Sequence, residues 1–141
     1  DDELVVVTPP NHPLTEQSVS GVDALLQYPF ISREEGSGTR NVIVDYLQSA
    51  GRDISDLNLT MEFGSPESIK SAVAAGLGIS ILSIATLDKE LELGMLSKLS
   101  LDPQLTRPFS IVYQRQKFRL RAMDEFLEFT EAHCVEKQSA K

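Results

Sequence analysis

The sequence predicts an α/β fold with a largely parallel sheet and short crossovers. Three observations carry this. Short apolar runs and period-two segments alternate along the chain with segments whose apolar residues recur about every 3.6 positions. Capping residues and glycines punctuate the helical segments at their starts and ends. The composition, 41% hydrophobic and 24% charged, supplies enough apolar side chains for a core without disulfides or metals. Strands that alternate with helices build layered α/β folds.

Leu4-Val5-Val6-Val7 reads as a short buried strand, stopped by Pro9, Pro10 and Pro13, which lack backbone donors. Tyr28 to Ile31 reads as a second strand. Gly36-Ser37-Gly38 then opens a helix near 38–50, with Val42, Ile43, Tyr46, Leu47 and Ala50 on one face and Gly51 as its left-handed cap. Leu57, Leu59, Met61 and Phe63 alternate with polar residues, which predicts a strand over 57–63 with one face buried. Ser65-Pro66-Glu67 starts a helix near 65–76: a hydroxyl that caps, a proline suited to the first helical position, and an acid at the positive end of the dipole. Ile69, Ala72 and Val73 form its buried stripe, and Gly76 ends it. Ile79 to Leu82 is the next strand; Ile84, Leu87 and Leu91 make a short helix closed by Gly94; Phe109 to Tyr113 is the last strand. Leu120, Met123, Phe126 and Leu127 place an apolar stripe on a C-terminal helix whose other face carries Asp124, Glu125, Glu128 and Glu131. Residues 135–141 are expected to be a disordered tail.

The formal net charge of −8 argues against a nucleic-acid surface on this chain, because phosphate contacts need clustered Lys and Arg. The one basic cluster, Arg115, Lys117, Arg119 and Arg121, reads as the solvated start of a helix. No apolar run approaches the ~20 residues of a membrane span. Asp1, Asp2 and Glu3 carry the wrong sign for a signal peptide. A single cysteine, Cys134, permits no internal disulfide. A cytoplasmic location is the expectation. The two histidines, His12 and His133, have no Ser or Cys partner at a recognisable spacing, so no catalytic residue, metal site or cofactor is expected.

Three stretches carry a family resemblance. Leu4-Val-Val-Val-Thr-Pro-Pro-Asn-His-Pro-Leu14 resembles the strand and "HPL" turn at the crossing between the two effector subdomains of LysR-type bacterial transcriptional regulators. Phe30-Ile-Ser-Arg-Glu-Glu-Gly-Ser-Gly-Thr-Arg40 resembles the strand and glycine-rich turn that start the second subdomain. Residues 63–82, with a capped helix and then Gly76-Leu77-Gly78-Ile79, resemble the helix–Gly-x-Gly–strand segment of the same family. Gly-Ser-Gly-Thr-Arg is similar to the version found in regulators of carbon fixation and sulfur assimilation.

The resemblance covers residues 3–130. It implies a periplasmic-binding-protein-like sensing domain of type II, present as its second subdomain plus crossing strands and C-terminal helix. Residues 1–10 would be the crossing strand from the first subdomain and 11–107 the second subdomain. Residues 108–134 would be the return strand and the C-terminal helix of the first subdomain. It further implies that the chain is truncated at its N-terminus, with the winged helix-turn-helix, the linker helix and most of the first subdomain absent. The implied function is sensing of a small molecule, whose binding moves the subdomains and modulates DNA binding by the missing domain. The implied assembly is a homodimer or homotetramer. A solute-binding protein or transporter component of similar fold is the alternative; an enzyme is disfavoured.

The site expectation centres on Arg33, Gly36, Ser37, Gly38, Thr39 and Arg40, after a strand and opening a helix. Open α/β folds bind ligands at the carboxyl ends of their strands. Free N–H groups, two hydroxyls and the helix dipole suit an anionic group, and Arg33 and Arg40 can pair with carboxylate or phosphate. The same residues also read as an ordinary helix start with a flexible turn; the resemblance favours the site. Ser65 and Ser71 are expected at the same cleft, though each also reads as a cap or a helix-surface residue. Ile79, by resemblance, lines the pocket floor, which is compatible with core packing. The segment is neither a nucleotide P-loop, which needs a Lys after its last glycine, nor a dinucleotide fingerprint.

Overall fold

Leu4, Val5, Val6 and Val7 are at most 1% exposed because their strand, β1 (Asp2–Thr8), runs through the middle of a sheet. The computed structural model describes residues 1–16, 19–112 and 121–139. These form two units, Asp1–Phe109 and Ser110–Lys141.

In the first unit β1 is followed by β2 (Val19–Ser20), α1 (Val22–Leu25), β3 (Pro29–Arg33), α2 (Gly38–Ser49) and β4 (Asn58–Phe63). Then come α3 (Pro66–Ala74), β5 (Ser80–Ser83), α4 (Asp88–Glu92), β6 (Ser97–Leu101) and β7 (Leu105–Arg107). One edge of β1 pairs with β5, from Leu4↔Ser83 to Val7↔Ser80. The other pairs with β6 near Thr8 and with β7 near Asp2, the latter setting Asp2 opposite Arg107. β6 also pairs with β2, and β3 with β4.

Alternate residues of β1 face opposite ways. Leu4 and Val6 enter a core with Phe30, Ile43, Leu47 and Ile79, under α2. Val5 and Val7 enter a second core with Ile31, Ile69, Val73 and Leu82, under α3. The sheet therefore lies between two helical layers, the α/β architecture that the sequence predicts.

Strand direction departs from expectation. All three pairings of β1 are antiparallel. Parallel pairing is confined to β2–β6, β3–β4 and a bridge between Phe30 and Ile79. A run such as Leu4–Val7 records burial on both faces, which a central strand has whichever way its neighbours run. Three strands, β2, β6 and β7, were not expected; in β6, Leu99 and Leu101 are the buried residues of a short alternating segment. Conversely, Phe109–Val112 forms no strand, and Tyr113 lies outside the described residues. The strand that returns to β1 is β7, and it ends at Arg107, directly before Pro108, whose nitrogen cannot donate to a ladder. The apolar face expected to be buried over 57–63 is half open, with Leu59 and Met61 at 41% and 38% exposure, because β4 pairs only with β3 among the described residues. The short helix expected near 84–91 is split into a 3-10 turn at Ile84–Thr86 and α4.

The second unit contains α5 (Arg121–Ser139). It continues through Val135–Ser139, where a disordered tail was expected; that stretch holds no Gly or Pro to stop it. Ala140 and Lys141 lie outside the described residues, as do Arg115, Lys117 and Arg119 of the basic cluster and Leu120 of the apolar stripe. Arg121 pairs with Glu125 one turn on, and both are exposed. Phe126 and Phe129 are exposed, and the Phe129 ring stacks on His133 with centroids 5.8 Å apart.

Candidate functional site

β3 ends at Arg33, and the chain turns through Gly36 at φ +86°, a left-handed conformation that glycine adopts without strain. Ser37 follows as the N-cap of α2, with extended backbone angles. The first bond along the helix is donated by the Asn41 N–H to the Ser37 carbonyl at 3.0 Å. The N–H groups of Gly38, Thr39 and Arg40 thus precede the helical ladder and have no acceptor within it. Ser37 is 7% exposed, yet its hydroxyl makes no capping bond. Thr39 is 8% exposed, and its Oγ1 accepts a hydrogen bond from Nη1 of Arg107 at 3.1 Å.

Arg107 is held from behind. Its Nε donates to Oδ2 of Asp2 at 2.8 Å, and Nη2 stands 2.8 Å from the same oxygen as an ion pair. The Asp2 carboxylate is buried, and its Oδ1 accepts from the Ser83 hydroxyl. Charge pairing and hydrogen bonds together make this burial tolerable. Arg107, Asp2 and Ser83 were not singled out as site residues in the sequence. The signal that could have found them is register: if the first strand and the returning strand pair, Arg107 falls opposite Asp2.

The structure brings Arg33, Gly36, Ser37, Gly38, Thr39 and Arg40 together around the start of α2 but engages both arginines. Arg33 forks onto Glu34, with Nε to Oε2 at 2.7 Å and Nη2 to Oε1 at 2.8 Å. The hydrogen bond from Arg33 holds the Glu34 carboxyl below its usual pKa. Arg40 donates through Nη1 to the Arg33 carbonyl at 3.0 Å and pairs with Glu62. Ser65 caps α3, its Oγ accepting from the Ser68 N–H at 3.4 Å. Ser65 follows Gly64, whose carbonyl lies 3.5 Å from Nη2 of Arg33, so the start of α3 lies beside the start of α2. Ser71 is further along α3, exposed, and donates to the Glu67 carbonyl at 3.0 Å. Ile79 is fully buried, its backbone bonded to Pro29 and Ile31. Ser71 and Ile79 make no bond to the start of α2.

Elsewhere the polar clusters are structural. Burial works to lower the pKa of Lys70, but hydrogen bonds to Glu90 and Glu67 outweigh it and raise the value. Burial holds His12 below its usual pKa. Its Nδ1 accepts from the Leu14 N–H at 3.2 Å, and its ring meets Tyr28 edge-on. A cavity of about 440 Å³ opens at the other end of α2, between Asp23, Tyr46, Arg52 and Pro103. Among the described residues there is no cluster of three or more potential metal ligands. No helix among them is long and apolar enough to cross a membrane.

The family model described as "LysR substrate binding domain" matches residues 1–135. An uncharacterized HTH-type transcriptional regulator of Methanocaldococcus jannaschii is 35% identical over 129 residues, 91% of this chain and 44% of its own length. The RuBisCO operon transcriptional regulator of Allochromatium vinosum is 36% identical over 131 residues, 92% of this chain and 42% of its own. The chain therefore spans less than half the length of these relatives. Among solved structures, the regulatory domain of CcmR from Synechocystis PCC6803 in complex with 2-PG is similar, with a TM-score of 0.65 and 38% identity. That match covers 74% of this chain and 49% of the other.

Proposed function

Because this chain belongs to the family of LysR substrate-binding domains, we propose that it is the small-molecule-sensing part of a LysR-type transcriptional regulator. In this reading the effector is a small anion bound at the start of α2, with Ser37 and Thr39 as hydroxyl contacts and Gly36 and Gly38 allowing close approach. The observation that carries it is the meeting of three N–H groups outside the helical ladder with the Ser37 hydroxyl, which makes no capping bond, at the carboxyl end of β3. The complex of CcmR with 2-PG supports a small ligand on a related domain.

Arg33 and Arg40 shape the turn through their carboxylate partners, with the effector held by hydroxyls and backbone. Ser65 borders the same cleft from α3, Ile79 supports its floor from the core, and Ser71 lies at its outer limit. Residues 1–10 and 108–134 belong with the first effector subdomain and 11–107 form the second. Effector binding between them favours one inter-subdomain angle, since a ligand shifts only an equilibrium whose states it binds unequally. DNA is contacted through a helix-turn-helix region outside this chain. The regulator works in the cytoplasm as a homodimer or homotetramer and catalyses no reaction.

Titration calorimetry on the complete regulator tests this, with 2-PG and a panel of small carboxylates and phosphate esters. One member should bind, and Thr39→Ala should weaken it by about 1.5–3 kcal/mol, roughly tenfold to hundredfold. DNA affinity without effector should stay near the wild-type value. No binding across the panel, or unchanged affinity in both Thr39→Ala and Ser37→Ala, would reduce this turn to an ordinary helix start.

A further inference from the structure

We propose that Arg107 is a ligand-binding residue of this site, contacting the anion at the start of α2 from the strand β7. The inference rests on reading that helix start as an anion site and names the side chain that supplies its charge.

The two arginines nearest in sequence do not fill the role. Arg33 has a bidentate partner in Glu34, and Arg40 is held by Glu62 and by the Arg33 carbonyl. Arg107 differs in geometry. A guanidinium carries five N–H donors in a planar fork. Two are engaged in hydrogen bonds here, Nε on Asp2 and one Nη1 hydrogen on Thr39, while Nη2 stands 2.8 Å from the Asp2 carboxylate as an ion pair. The second Nη1 hydrogen has no acceptor among the described residues.

The guanidinium also lies against the helix start itself. A Cβ placed on Gly38 would stand 4.0 Å from Nη1. The same small region holds the N–H groups of Gly38, Thr39 and Arg40 outside the helical ladder, the hydroxyl of the mostly buried Ser37 without a capping bond, and the Thr39 hydroxyl. An oxyanion there would accept from backbone, hydroxyl and guanidinium together, and bonds from a charged donor are the stronger ones.

Asp2 makes this arrangement durable. Buried and bonded to Ser83, it holds two of the three guanidinium nitrogens, so the fork is oriented before a ligand arrives. An arginine fixed in advance loses little conformational freedom on binding. The placement also ties the anion to β1 and β7, which pair at Asp2 and Arg107.

The test is equilibrium dialysis of the complete regulator with radiolabelled inorganic phosphate at constant ionic strength. Removing Arg107 alone would leave Asp2 buried without its partner, so the main variant is the paired substitution Asp2→Asn with Arg107→Gln, which keeps a hydrogen-bonding pair. Arg107→Lys keeps the charge but lacks the fork. Both should weaken phosphate binding, the paired substitution by roughly tenfold or more, with the thermal midpoint of Arg107→Lys near that of wild type. Ser37→Ala should weaken it independently. Weakening in Ser37→Ala with wild-type affinity in both Arg107 variants would overturn the role of Arg107 and leave the helix-start site standing. Wild-type affinity in all three, or no phosphate bound by the wild type at millimolar concentration, would overturn both.

Discussion

Single residues here illustrate how a partner decides what a charged side chain does. Arg33 and Arg40 look from their spacing like anion receptors, but each has a carboxylate within reach. Lys70 lies on α3 among buried positions and is 7% exposed, which for an unpaired lysine would be costly. It is tolerated because Nζ meets Glu90 at 2.9 Å, Glu67 at 3.0 Å and the Thr86 carbonyl at 3.0 Å. The hydrogen bond from Lys70 lowers the pKa of Glu90 below its ordinary 4.5. A lowered carboxyl pKa contributes stability that is present above the unfolded value and lost as the pH falls through the folded one. Glu90→Gln should therefore lower the thermal midpoint of the complete regulator at neutral pH. The difference from wild type should shrink in a pH series of melts as the pH falls below the ordinary carboxyl value and through the lowered folded one, where Glu90 becomes protonated in both states. A pH-independent difference would assign the effect to packing.

At the scale of elements, the meeting of β3 with the start of β5 depends on one missing side chain. The Ile79 N–H donates to the Pro29 carbonyl at 2.8 Å, and the Ile31 N–H donates to the Ile79 carbonyl at 2.9 Å. A Cβ on Gly78 would stand 2.5 Å from the Pro29 carbonyl oxygen. That atom is backbone within a strand and cannot swing aside. Gly78→Ala should destabilise the fold by about 1–3 kcal/mol, read as a lower urea midpoint at unchanged slope. A wild-type midpoint would mean that the two strands separate at little cost. Gly94→Ala is the comparison: its φ is +64°, but nothing lies within 4 Å of a Cβ there, so only the backbone term of about 1 kcal/mol applies.

The whole chain carries a net charge of −8, its 13 Lys and Arg outnumbered by 21 Asp and Glu, which opposes binding to phosphates. The 141-residue chain alone should show no micromolar binding to a DNA duplex at physiological salt. Salt-sensitive binding in a fluorescence anisotropy titration would contradict this. Apolar side chains are nevertheless exposed in both units, among them Leu59 and Met61 on β4 and Phe126 and Phe129 on α5. Exposed apolar area of this kind favours association. Light scattering on the complete regulator should give a dimer or tetramer, and a monomer at high concentration would count against the proposed assembly.

Much of this protein is written in local pattern. The capped start at Ser65-Pro66, the turn through Gly36 and the stripe Ile43, Tyr46 and Leu47 act over one or two helical turns, so α2 and α3 are legible from sequence, and so is the helix start with its free donors. The burial of Leu4–Val7 is legible because an unbroken apolar run needs cover on both faces. Strand direction is a different matter. Whether β1 runs with or against β5, β6 and β7 depends on how the chain returns, and the side-chain pattern is the same either way. The same holds for Arg107. It is 68 residues from Thr39 and 105 from Asp2, and only the pairing of the first strand with the returning one sets its guanidinium between a buried carboxylate and the start of α2. Local chemistry determined the helix start by itself; tertiary structure decided which charge stands beside it, because that charge arrives across a strand register that residues near the turn cannot encode.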